Sequence, residues 1–188
     1  YFTMFWDDEI PRHTVTDAAG KVTEVTVVAG TLGEARPLAP PPSSWASRSE
    51  ADVAIWHVRM DAGATWEMPA AASADTIRTV YLFEGAGFRI DGTDVATSTG
   101  SVVVPDRPLT LSAGSDQAEI LVLQGRPIGE PVAQYGPFVM NTRAEIEQAF
   151  ADYRRTGFGG WPWDRPDPVH ADAGAARFAR HARPSCQL

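Results

Sequence analysis

Cysteine is almost absent from this sequence. The one cysteine, Cys186, lies near the C-terminal end. A single cysteine cannot close an internal disulfide, so a small disulfide-held secreted scaffold is excluded and a reducing, cytoplasmic setting is expected. No apolar run approaches the length of a membrane span, so no membrane partner is expected. The opening residues, from Tyr1 to Asp8, carry no basic region and do not read as a secretory signal. No initiator methionine heads them, and further residues upstream are expected. Basic residues are also scarce, with 16 Lys and Arg against 24 Asp and Glu, for a net charge of -8. Such a chain repels phosphate backbones, so no direct nucleic-acid binding is expected.

Catalytic signatures are missing as well. The four histidines, His13, His57, His170 and His181, form no H-x-H or H-x3-H pair that could chelate a metal. No G-x-S-x-G elbow is present to expose a nucleophilic serine. Gly85-Ala86-Gly87 is a hairpin signal rather than a phosphate-binding G-x-G-x-x-G loop.

What remains is a globular chain of 188 residues, 44% of them hydrophobic, dominated by strand signals. Residues 1–21 read as an aromatic and acidic arm or linker. Residues 22–29 are rich in valine and read as a strand. A proline-rich connector follows, with Pro37 and Pro40-Pro41-Pro42. From Asp52 onward short strands recur about every dozen residues between Gly and Asp turns. That spacing predicts an antiparallel sandwich or barrel over 22–128. Residues 129–157 read as a loop followed by one clear helix. Thr142 and Glu145 match a capping box, and Ile146, Ala149, Phe150 and Tyr153 form one apolar stripe. Arg154 and Arg155 suit its C-terminal end, and Gly157 can stop it. Residues 158–188 are a Gly/Pro/Trp-rich tail whose last part, 171–184, reads as a short basic helix. Phe5, Trp6, Trp161 and Trp163 are too large and apolar to remain exposed without a partner. They are read as covering either this domain or a second one.

The glycine frame of the barrel resembles that of cupins, in which three His and one Glu converge on a divalent metal. Counted from Gly63, the two adjacent His positions fall at Pro69 and Ala71. Counted back from Gly85, the Glu position falls at Arg78, and counted through Gly100 and Pro105 the last His position falls near Thr110. The frame therefore stands without its ligands, and no metal is expected in this chain. Arg78 and Thr110 form a candidate anion site at the barrel mouth. The plainer alternative pairs Arg78 with Glu67 or Asp75, or sends it to solvent.

The segment Glu130-Pro131-Val132-Ala133-Gln134-Tyr135-Gly136-Pro137-Phe138-Val139-Met140-Asn141-Thr142-Arg143 is very similar to the pirin family, as are residues 25–30 and the tail around Trp161 and Trp163. The resemblance implies a mostly β fold: a degenerate cupin (RmlC-like) antiparallel barrel or sandwich with a C-terminal α-helix and an extended tail. It corresponds to the C-terminal half of a two-barrel protein whose iron sits in the N-terminal barrel. The H-P-H-x-G and H-x-E strings of that barrel do not occur in this sequence. The resemblance leaves three roles open. The chain could be a non-catalytic structural half packed on the N-terminal barrel. It could be part of an iron-dependent quercetin 2,3-dioxygenase. It could be a redox-responsive regulator that binds transcription or metabolic proteins. Beside the N-terminal barrel, a protein partner or a second copy of the chain is expected.

Overall fold

The computed structural model describes residues 5–160, and they divide into two compact units, with the boundary after Ile128. Ten strands build the first unit. They are β1 (Arg12–Thr16), β2 (Val22–Ala29), β3 (Ala54–Met60), β4 (Thr65–Met68), β5 (Ile77–Glu84), β6 (Phe88–Ile90), β7 (Thr93–Val95), β8 (Thr99–Val103), β9 (Leu109–Ser112) and β10 (Ala118–Gly125). All pairings are antiparallel. One sheet has the order β1-β2-β3-β10-β5-β8 and the other β4-β9-β6-β7.

Side chains along a strand point alternately to opposite faces, and the sequence alternates to match. On β3, Ala54, Trp56, Val58 and Met60 are buried. So are Val80 and Leu82 on β5, Ile120 and Val122 on β10, and Leu109 and Leu111 on β9. These residues meet in one apolar core with Val25 and Val27 from β2 and Trp66 and Met68 from β4. Burying a side chain of this size is worth about 1.5–3 kcal/mol, so the core is the main force holding the two sheets together.

Turn chemistry fixes the edges. Asp17 accepts from the backbone N–H groups of Ala19 and Lys21 in the β1–β2 turn and from Thr65 at the start of β4. Those bonds, the one from Lys21 foremost, hold its carboxyl below the usual aspartate range. A Cβ at Gly114 would lie 2.1 Å from the carbonyl oxygen of Ala86, so only glycine fits where these two loops cross. Residues 12–16 belong to the segment read above as an arm. They are strand β1, paired with β2 from Arg12↔Thr26 to Thr16↔Val22. As a half-exposed edge strand β1 needs little apolar sequence, which is why its composition gave no strand signal.

The second unit is built differently. Ala133–Tyr135 (β11) and Phe138–Met140 (β12) form a hairpin, where the sequence suggested only a loop. Gly136 has φ +56 and Pro137 follows it in the two-residue turn. Proline cannot take positive φ, so the turn differs from the type I′ form that needs it at both positions. The helix α1 (Arg143–Thr156) starts as expected. Thr142 Oγ1 accepts from Glu145 N, and Glu145 Oε2 accepts from Thr142 N at 2.7 Å. Gly157 ends it in the left-handed conformation. Ile146 and Ala149 are buried, and Phe150 meets Phe138 edge-on with ring centroids 4.8 Å apart. Thr142→Ala should destabilise the second unit by about 1 kcal/mol. Urea denaturation followed by helical circular dichroism measures that loss, and Thr142→Ser should restore most of it.

Candidate functional site

Two inward-facing rows of the first unit carry a polar side chain where the pattern calls for an apolar one. On β5 the inward set is Arg78, Val80 and Leu82. On β10 it is Ile120, Val122 and Gln124. The register places Gln124 directly opposite Arg78. Arg78 has no accessible surface and is the largest fully buried side chain among the described residues.

A buried guanidinium must find acceptors for its N–H groups. Arg78 Nε donates to Gln124 Oε1 at 2.7 Å, and a second guanidinium nitrogen donates to the same oxygen. The third donates to the backbone carbonyl of Pro69 at 2.6 Å. The Gln124 amide is thereby oriented, oxygen to the cation and nitrogen away from it. Its Nε2 donates to Asp52 Oδ1 at 2.8 Å and to Asp52 O at 2.9 Å. Asp52 Oδ2 accepts from Thr76 Oγ1 at 2.5 Å and from Ala72 N at 3.0 Å. Asp52 itself sits in the left-handed region at φ 48, a conformation that aspartate tolerates better than most residues.

The network is a buried cation relayed through one amide to a half-buried carboxylate. Burial pushes the Arg78 guanidinium below the usual arginine range, and the charge of Asp52 pulls it back. Arginine remains charged at neutral pH regardless. The guanidinium also lies 5.8 Å from the centroid of the Trp56 ring, a cation–π contact. The Trp56 indole N–H is buried without a partner.

Glu67 and Asp75, the suggested ion-pair partners, are not the residues that Arg78 meets. Asp75 lies 3.3 Å from Arg126, and Glu67 faces outward on β4. Thr110 does not join Arg78 either. It is exposed on β9 between the buried Leu109 and Leu111, and its backbone bonds to Asp91. Of the positions that the glycine frame picked out, Arg78 and Pro69 touch through the Pro69 carbonyl, whereas Thr110 faces outward on β9. An inward side chain there needs the parity of Leu109 or Leu111. Arg78 has no accessible surface and each of its three nitrogens already donates to a protein oxygen, so it is not presented to an anion from solvent.

These positions do not suit a divalent metal either. Pro69, Arg78 and Leu109 supply no anionic or imidazole ligand, and a fixed cation opposes a second one. Among the described residues no three His, Cys, Asp or Glu side chains cluster in a way that could hold a metal. His57 lies on the outer face of its sheet, 2.8 Å from Glu119 and stacked on Phe83. His170 and His181 lie outside the described residues, as do Trp161, Trp163 and the proposed 171–184 helix. Phe5 is 39% exposed, and the backbone N–H of Trp6 donates to Glu9. Gln124 and Asp52 are not among the residues that the sequence singles out. The available signal was the break in apolar alternation at the ends of β5 and β10. Among the described residues no helix is long and apolar enough to cross a membrane.

Two antiparallel sheets enclosing an inward-facing core define a cupin-type barrel. Residues 55–159 match the pirin C-terminal cupin domain, and the chain belongs to the pirin family. It is 32% identical over 157 residues to a putative quercetin 2,3-dioxygenase of Pseudomonas aeruginosa, covering 81% of this chain and 48% of that protein. It is 36% identical to a pirin-like protein of Caulobacter vibrioides over 57% of this chain and 37% of the relative. The crystal structure of quercetin 2,3-dioxygenase from Acinetobacter baumannii superposes with a TM-score of 0.63 at 27% identity, over 81% of this chain and 48% of that one. The chain thus spans about half the length of these two dioxygenase-named relatives.

The network predicts a sharp contrast between two substitutions. Arg78→Met should cost about 3–5 kcal/mol in urea unfolding, because it strands Asp52, Gln124 and the Pro69 carbonyl. Adding Asp52→Asn should recover part of that loss. Thr110→Val should change stability by less than about 0.5 kcal/mol.

Proposed function

We propose that this chain serves as the metal-free C-terminal barrel of a pirin-type assembly and performs no catalysis of its own. The observation that carries this reading is Arg78. It is fully buried at a position where the cupin frame would place a metal-ligating carboxylate, and it is satisfied there by Gln124 and Pro69. Among the described residues this position presents a cation and neutral oxygen acceptors, not the carboxylate or imidazole groups that a divalent metal needs.

The role that fits is structural. The barrel would back an N-terminal cupin barrel that binds iron, of the kind the pirin resemblance implies. Phe5, Trp6, Trp161 and Trp163 are the proposed packing residues toward that partner. Relatives that match over about half their own length are consistent with a two-barrel assembly. The dioxygenase names of those relatives favour a second reading of the assembly as a whole, in which the iron barrel carries a flavonol-oxidising activity and this chain supports it.

Quercetin consumption tests the reading. The chain, reconstituted with ferrous iron under nitrogen and then exposed to oxygen, should consume quercetin no faster than iron in buffer. Turnover that rises in proportion to the chain would contradict the reading and make this barrel an enzyme.

A further inference from the structure

The second unit carries a groove of about 580 Å³ that the structural role above does not use. Its walls are β11 and one flank of α1. Tyr135 stands on one side, 69% exposed, and the side chains of Ile146 and Phe150 form the apolar floor. Arg143 and Arg154 line it from the helix with Glu147 between them.

Arg154 suits the C-terminal end of α1, but Arg143 stands at its start. Among the described residues neither forms an ion pair, whereas their neighbour Arg155 is held 2.7 Å from Asp152. Arg143 occupies the first position of α1, where the helix dipole disfavours a cation. Both therefore present free positive charge beside exposed apolar surface, on a chain whose net charge is -8. That combination matches a ligand with an apolar centre and separated negative charges. The arginines are eleven positions apart on the helix, roughly 16 Å along its axis at 1.5 Å per residue. Extended chain rises about 3.3 Å per residue, so the same distance takes about five residues.

We propose that this groove binds an extended acidic segment of a protein partner, with carboxylates about five residues apart and an apolar or aromatic side chain between them. The carboxylates meet Arg143 and Arg154, the apolar side chain lies against Tyr135 and Phe150, and Glu147 accepts a backbone N–H of the segment. The inference is independent of the metal-free reading, since it uses no residue of the first unit.

The test uses the full chain and fluorescein-labelled peptides with Glu at positions one and six and Leu, Phe or Tyr at three or four. Control peptides carry Ala or Lys at the ends. Fluorescence anisotropy should show saturable binding of the Glu-ended peptides that weakens as salt rises. Arg143→Glu and Arg154→Glu should each weaken it about tenfold. Arg143→Glu places an acid at the helix start, so it should not impair folding. The double charge reversal should prefer the Lys-ended peptide. Failure of the Glu-ended peptides to exceed the Ala-ended control would overturn the proposal. So would binding that survives both reversals, or equal binding of a single-stranded DNA oligonucleotide.

Discussion

A guanidinium without solvent must be met by oxygens in fixed places, and the interior of the first unit is arranged around that requirement. Arg78 needs the Gln124 amide turned one way, and Gln124 needs Asp52 to hold it there. Asp52 in turn fixes Thr76 and the backbone at Ala72. The chain from Pro69 to Thr76 and the ends of β3, β5 and β10 are tied together through one side chain. Apolar burial supplies most of the folding free energy in such a barrel. The polar network supplies a different property. It punishes any register other than the one that sets Gln124 opposite Arg78, because a slip by one residue would leave a buried charge unmatched.

The same constraint bears on chemistry. A cupin barrel that works with a metal needs ligands and an open position. Here a permanent cation, two neutral oxygen acceptors and an indole ring fill the space. Family membership and a barrel fold therefore do not by themselves carry catalysis into this chain. The second unit depends on its own local forces, namely a capped helix, a tight hairpin and the edge-on contacts of Phe138 with Phe150, Tyr153 and Phe158.

How far each feature was legible in the sequence follows from how local its cause is. The helix was readable because Thr142, Glu145 and Gly157 signal its ends within a few residues of each other. The strands of the core were readable from period-two alternation. Arg78 was identified through the glycine frame, but its partners were not, since Gln124 lies 46 positions away and joins it only through sheet register. Thr110 was assigned to the interior because counting residues through a loop loses parity, and one residue of error turns a strand position inside out. Strand β1 and the β11–β12 hairpin were missed for a common reason. Both are short and half exposed, so they carry little apolar pattern of their own.

Elemental analysis of the purified chain, after growth in medium supplemented with iron, manganese and zinc and exhaustive dialysis, tests the central claim most directly. Only substoichiometric traces of any of these metals are expected, unchanged in Arg78→Lys. One equivalent of tightly held metal per chain would contradict it, because no described set of side chains around Arg78 could accommodate that ion.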